Sequence, residues 1–290
     1  MPYETIDYTV TDHILTLTLN RPEQMNAFTV RMANDLVTAF ERASDDDEVR
    51  VIVVTGSGKA FCAGMDLSVD GNVFGLDETM RPTMIDMRTQ MDSEHIARGV
   101  RDTGGRVALA IFACKKPVIA ALNGAAVGIG ATMTCAMDIR LLSTTARVGF
   151  VFNKIGITPE ACSTWFLPKI VGLPTALEWC FTGDLLDADT LVNSGFARST
   201  HAPEELLDAA YALAGKMVHY SPVAMALTRQ MMYRNSVEPH PLHAHQVDSL
   251  AMFYTSITSG KEGVKSFLEK RAPQFTDKSS SDMPEFYPWW

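Results

Sequence analysis

At 290 residues, 47% hydrophobic and 20% charged, the chain has ample apolar surface for a substantial core, which excludes disorder as its main state. A formal charge of −9, with acids spread along the chain, opposes nonspecific attraction to phosphate backbones and anionic membranes, so neither nucleic acid nor membrane is an expected partner. Five cysteines without a CxxC pair, set among apolar neighbours, point to reduced, mostly buried thiols rather than a disulfide framework or zinc cluster.

No basic stretch followed by an apolar run opens the chain, and no apolar run approaches about 18 residues, so a soluble cytoplasmic protein is expected. HILTLTLN (13–20) sets Leu15, Leu17 and Leu19 on one face and threonines on the other, as a half-buried strand does. FTVRMANDLVTAFERA (28–43) reads as an amphipathic helix. VRVIVVTGSG (49–58) and KPVIAALNG (116–124) are continuous apolar runs ended by glycine, the pattern of strands covered on both faces. Residues 66–103 lack a clean period and are rich in methionine, including Met80, Met84, Met87 and Met91, equally suited to an adaptable lining or to core filling. VALAIFA (107–113) reads as a short buried helix.

Beyond residue 200 the pattern turns helical. Leu206, Ala210, Leu213 and Met217 share one helical face, Ser221-Pro222 caps and starts another helix, and further helices follow over 240–258 and 262–271. The chain therefore divides into an α/β core (1–199), a helical region that packs against another subunit (200–272) and a tail (273–290). The tail ends in PEFYPWW, which fits either a segment docked on a neighbouring subunit or a solvated one.

Two glycine-bearing turns, GSGKAFCAGMDL and NGAAVGIGATMTCAMDI, each follow a strand and precede a helix. Such turns expose backbone N–H groups that have no partner inside the helix, and two that converge can hold one developing oxyanion. A nucleotide loop fits neither turn. Met133 stands where GxGxxG ends, no acid closes a second Rossmann strand, and Ala60 follows Gly58-Lys59 where a P-loop needs Ser or Thr. In GITPEACSTW (156–165), Glu160 follows Thr158-Pro159. Spacing alone leaves open whether it is a base or decorates the first turn of a helix capped by Thr158.

Other groups carry less. His240, His243 and His245 lack a fixed acid or cysteine partner, so no metal site is expected. Cys62 and Cys162 have no histidine near them in sequence and read as packing residues.

LNRPEQMNAF, KAFCAGMDL, KPVIAALNGAAVGIGATM and EGVKSFLEKRAPQF, in this order and spacing, resemble the enoyl-CoA hydratase/isomerase (crotonase) family over about residues 5–275. The resemblance implies a crotonase-like α/β spiral of ββα turns with a C-terminal helical trimerisation region. It further implies a homotrimer or a hexamer built as a dimer of trimers, acyl-CoA thioesters as substrate, and no cofactor beyond the CoA of the substrate itself. It assigns the oxyanion-hole amides to Met65 and Ile129, with Gly128 and Gly130 permitting close approach. It assigns the CoA portion to the Ala27 turn and to the loop holding Ala63, Asp66 and Leu67, with Phe267 and Lys270 reaching a neighbouring subunit's nucleotide.

Where hydratases of this family carry two glutamates, this chain has Thr132 and Phe152, neither of them a base near neutral pH. FVFNKIGITPEACSTWFLPKIVG resembles the Δ3,Δ2-enoyl-CoA isomerase branch, whose single glutamate at the Pro-Glu step moves a proton along the acyl chain. The expectation is a double-bond shift with Glu160 as base and acid, in an acyl pocket walled by Phe152, Trp165 and Phe166. The alternatives are a hydratase in which Asp70 or Asp86 joins Glu160, and an acyl-CoA-binding protein without catalysis. Asp138 matches a structural position of the family.

Overall fold

The computed structural model describes residues 3–68 and 71–290. Asp70 lies outside the described residues. The chain opens with an antiparallel hairpin, β1 (Ile6–Thr11) and β2 (Ile14–Leu19), followed by helix α1 (Val30–Asp45). Thr29 caps α1 by accepting the Met32 N–H, and its apolar stripe is buried from Met32 to Ala43.

A repeated unit then begins. A long strand, β3 (Val51–Gly56), turns into a short one, β4 (Ala60–Cys62), and the chain continues into helices α2 (Met84–Thr89), α3 (Glu94–Gly99) and α4 (Thr103–Ala113). The second unit is β5 (Val118–Leu122), β6 (Ala125–Val127) and α5 (Ile129–Thr132). The third is β7 (Ile139–Ser143) and β8 (Arg147–Gly149), followed by α6 (Ser163–Val171) and α7 (Leu173–Thr182). Next come β9 (Leu185–Asp187), α8 (Ala188–Asn193) and β10 (Ser199–His201). The long strands join one sheet in the order β1-β2-β3-β5-β7-β10, parallel from β2 onward, while the short strands form a second sheet, β4-β6-β8-β9. This is the expected spiral of ββα turns.

The apolar runs are explained by layers on both faces of the large sheet. Ile52 and Val54 of β3 face the main core with α1 and α4, whereas Val51 and Val53 face Leu206, Ala210 and Ala214 of α9 (Leu206–Gly215). The threonine face of β2 meets the same helix, Thr16 pairing with the Tyr211 hydroxyl at 3.1 Å.

Helices α10 (Pro222–Asn235), α11 (Pro241–Ile257) and α12 (Ser259–Glu269) complete the chain. Ser221 caps α10 by accepting the Ala224 N–H, as its Ser-Pro sequence predicts. The tail neither reaches for a neighbour nor stands in solvent, as its sequence suggested, but docks on its own chain: Met283, Phe286, Tyr287 and Trp289 pack on Val223, Leu227 and Ala251, and Trp290 lies under the Arg234 guanidinium. No helix among the described residues is long and apolar enough to cross a membrane.

Asp138 is structural, as expected. It accepts the Val118 N–H at 2.7 Å and the Tyr233 hydroxyl at 2.7 Å, and pairs with the buried Arg229 at 2.9 Å. Arg229 also donates to the carbonyls of Ile111, Phe112 and Cys114 at the end of α4. Replacing Arg229 with Ala leaves the Asp138 carboxylate without its buried cation and removes a donor from three carbonyls, so Arg229→Ala is expected to lower unfolding free energy by about 3–5 kcal/mol, measured by urea denaturation.

Candidate active site

The two glycine turns meet at one wall. Phe28 forms a parallel bridge with Met65, donating to the Gly64 carbonyl at 2.7 Å and accepting from the Asp66 N–H at 2.8 Å. In that pattern Met65's own N–H points away from Phe28, and it donates to no described residue. The partner loop places Gly128 at φ 55°, ψ −122°, a pair open to glycine, and α5 starts at the next residue. The Ile129 N–H is thereby one of the orphan donors of a helix start. A Cβ at Gly128 would stand 3.9 Å from the Gly64 Cα, so the loops are in contact. Gly130 packs so closely on the Cys62 carbonyl of β4 that no Cβ fits.

Asn26 fixes the first loop and escaped notice in the sequence. Fully buried with φ 55°, it donates to the carbonyls of Ser57 and Ala60, both at 2.8 Å, and accepts the Arg21 N–H. Arg21 in turn pairs with Asp66 at 2.8 Å and donates to the Ala27 carbonyl. With the Ser68 hydroxyl and Arg21 bound to it, the Asp66 carboxyl is held down at about 2. Asp66 is therefore committed to holding the loop and does not line the cavity.

The cavity beside these amides is lined by Ala63, Met65, Leu67, Val127, Gly128 and Ile129 from the two loops. Phe74 and Leu76 close it from the poorly patterned segment, and Val151, Phe152, Ile155 and Ile157 from the turn after β8. Two carboxyls face this apolar space, Glu160 and Asp102. From the 66–103 segment Leu67, Phe74 and Leu76 line the cavity, whereas Met80, Met84, Met87 and Met91 do not.

Glu160 is not in a helix. Helix α6 starts three residues later, at Ser163, and Thr158 is exposed and caps nothing, so the helix-decoration reading is corrected. The cause is local: Ala161 and Cys162 both take left-handed φ, 56° and 54°, and delay the helix. The Thr132 hydroxyl donates to Glu160 Oε1 at 2.6 Å. Desolvation pushes the Glu160 carboxyl up to about 8; the Thr132 hydrogen bond opposes this, and the adjacent Asp102 charge reinforces it.

Two expectations are corrected. Trp165 and Phe166 do not wall the acyl pocket; on α6 they pack edge-on with Phe112 of α4, and Phe166 also meets Tyr233 of α10. Asp86 closes the capping box of α2 with Thr83, exposed and away from the cavity. The second acid of the cavity is Asp102, from the same segment, which the sequence did not single out; the only cue was its position before a helical run as a possible N-cap. Phe267 and Lys270 lie exposed at the end of α12 and meet no part of this cavity within the chain. Among the described residues no cluster of His, Cys, Asp and Glu gathers as a metal site.

A model of the enoyl-CoA hydratase/isomerase family matches residues 9–278. An enoyl-CoA hydratase of Alternaria alternata is 39% identical over 270 residues, 92% of this chain and 84% of the relative. The 1,2-epoxyphenylacetyl-CoA isomerase of Escherichia coli (strain K12) is 34% identical over 269 residues, 91% of this chain and 95% of the relative. The crystal structure of an enoyl-CoA hydratase from Mycobacterium smegmatis superposes with a TM-score of 0.77 at 29% identity, covering 94% of this chain and 100% of that one. The chain belongs to the enoyl-CoA hydratase/isomerase (crotonase) family, and is an acyl-CoA enzyme of that family.

Two outcomes follow from the packing around Glu160. A Cβ at Gly104 would run into the Glu160 carboxylate and Ile129, so Gly104→Ala is expected to keep the fold while reducing kcat/KM by about 10²-fold through displacement of the acid. In the folded chain Glu160 keeps its proton up to about pH 8, whereas unfolded it ionises near 4.5, so its burial costs stability increasingly as pH rises between these values. Glu160→Gln, which carries no charge, should therefore raise Tm at pH 8.5 by roughly 2–5 °C more than at pH 4.5 in paired thermal melts.

Proposed function

We propose that the protein moves the C=C bond of an enoyl-CoA from Δ3 to Δ2. The observation that carries this reading is one raised carboxyl, Glu160, set in an apolar cavity beside two unpaired backbone amides. Ionised Glu160 takes a proton from C2, the electron pair moves into the thioester to give a dienolate, and protonated Glu160 returns a proton at C4. The N–H groups of Met65 and Ile129 donate to the thioester oxygen as it becomes negative. Such a donor is worth about 3–4 kcal/mol of barrier because it is aimed before the charge appears.

The raised value of Glu160 suits the task, since a base for a carbon acid gains from higher basicity. Hydration, by contrast, needs an ordered water, and a water needs roughly two to four polar partners. Phe152 and the aliphatic wall supply none at the position where family hydratases carry a glutamate. At about 200 Å³ the cavity is smaller than the roughly 300–1,000 Å³ that encloses a drug-sized ligand, so it takes the acyl end alone. The CoA portion then lies outside along Ala27, Ala63 and Leu67, with Asp66 holding that loop.

A second reading, hydration, is favoured by one observation: Asp102 lines the same cavity and provides a second carboxyl beside Glu160. The Alternaria alternata relative is named an enoyl-CoA hydratase, which agrees with this second reading, and the Escherichia coli relative is named for a different isomerisation, that of 1,2-epoxyphenylacetyl-CoA.

Assembly as a trimer, or a dimer of trimers, is part of the proposal. Met252, Phe253, Val264, Phe267 and Leu268 of α11 and α12 stand more than half exposed, a patch that a second copy would cover. Phe267 and Lys270 would thereby reach the nucleotide bound by a neighbour.

The test is turnover of a 3-enoyl-CoA against a 2-enoyl-CoA, with deuterium exchange at C2 in parallel. Isomerisation of the first without hydration of the second is expected, with kcat/KM rising about tenfold per pH unit up to about pH 8 and then levelling, because the base is the ionised form. Glu160→Gln should lower both turnover and exchange by at least about 10²-fold. Water addition to the 2-enoyl-CoA would install the second reading, and binding with no exchange would leave an acyl-CoA-binding protein without catalysis.

A further inference from the structure

Asp102 stands where two elements join. Its carboxylate accepts the Gly105 N–H as the N-cap of α4, and the same oxygen accepts the Ala161 N–H at 3.2 Å, from the residue after Glu160. The turn it grips is strained, with Ala161 and Cys162 both at left-handed φ and neither of them glycine. Gly104 and Gly105 lack side chains where the Glu160 and Asp102 carboxylates lie, so the start of α4 is shaped to admit both acids.

The other titratable groups around Glu160 are thiols. Cys62 of β4 and Cys135 of the turn after α5 are buried and pushed up to about 12, and Cys162 on the same turn is raised too, so all three face Glu160 uncharged. Of the cations on adjoining segments, Arg101 pairs with Asp92 and Arg21 with Asp66, while Arg106 follows Asp102 by one turn of α4 and does not line the cavity. Asp102 is the carboxylate left beside Glu160: it lines the same cavity, and its other side is exposed.

We propose that Asp102 is the positioning residue of this site: it pins the Glu160-Ala161-Cys162 turn to α4, and its negative charge sets the pH at which Glu160 gives up its proton. The inference rests on the reading of Glu160 as the base. Asp102 touches no reacting carbon in it; it acts through Glu160. A like charge in contact disfavours ionisation of its neighbour, and exposure moderates the effect through screening.

The experiment compares wild-type protein with Asp102→Asn, which keeps an oxygen for both amides and removes only the charge. The rising limb of the pH–rate profile is expected to move down by about half to one pH unit, with the plateau within several-fold of wild type. A limb that stays in place, or moves up, overturns the proposal. Infrared titration of the carboxyl C=O band that disappears in Glu160→Gln reads the same midpoint without turnover. Should Asp102→Asn fold poorly, that titration on wild-type protein in low salt and in about 1 M salt decides, because screening an exposed anion should lower the midpoint. No salt response overturns the proposal. If Glu160→Gln retains turnover, the base assignment fails, whereas the infrared midpoint still reports on the Asp102 charge.

Discussion

Everything in this site depends on two backbone amides, of Met65 and Ile129, that donate to no described residue. Buried N–H groups are nearly always paired, because an orphan costs the full desolvation of a donor. Here the parallel bridge between Phe28 and Met65 uses the Gly64 carbonyl and the Asp66 N–H and turns the Met65 N–H outward. The Gly128 conformation does the same for Ile129 at the start of α5. The surrounding polar side chains serve this geometry: Asn26 ties the first loop to the β3–β4 turn, and the Arg21–Asp66 pair braces it from the other side. The side chains of Met65 and Ile129 merely line the wall, which is why backbone geometry and not residue identity defines the proposed oxyanion site.

The acid opposite is governed by a different balance. A carboxyl at a helix N-terminus is stabilised as an anion, and the Thr-Pro-Glu sequence invites that interpretation. The chain prevents it by placing two left-handed residues after Glu160, which hold the carboxyl short of α6 and inside an apolar cavity. Desolvation then outweighs the single hydrogen bond from Thr132, and the group becomes a proton carrier near neutral pH instead of a permanent anion. The Thr132 hydroxyl, donating to that acid, fixes its orientation.

The parts of this architecture that obey short periods are legible in the residues. Leu15, Leu17 and Leu19 alternate onto the core, and the runs over Val51–Val54 and Val118–Leu122 are apolar throughout because the sheet is covered twice. The glycine turns are legible because Gly128 and Gly130 occupy backbone positions that exclude a Cβ or favour glycine. What failed to show are features set by tertiary contact. Ala161 and Cys162 are not residues that announce a left-handed turn, so the start of α6 is misplaced by a cap rule that is sound elsewhere, as at Thr29 and Ser221. Trp165 looks like a pocket wall only until α4 and α10 present Phe112 and Tyr233 to the same helix. Asp102 is one of many acids in an aperiodic stretch, and nothing short of the folded chain brings it to Glu160.

Helix α4 connects the site to the rest of the molecule, and its two ends are held by opposite charges. Asp102 caps the N-terminus, where the helix dipole favours an anion, and Arg229 donates to the last carbonyls, where it favours a cation. Eleven residues span about 16 Å at 1.5 Å per residue, so the helix is a strut from the cavity to the cluster of Arg229, Asp138 and Tyr233. Asp138 in turn accepts the amide that opens β5, the strand leading to the Gly128 turn. One buried ion pair therefore fixes both the helix that positions the acid and the strand that delivers an oxyanion amide, which gives a residue far from the reacting carbons a direct mechanical bearing on their alignment.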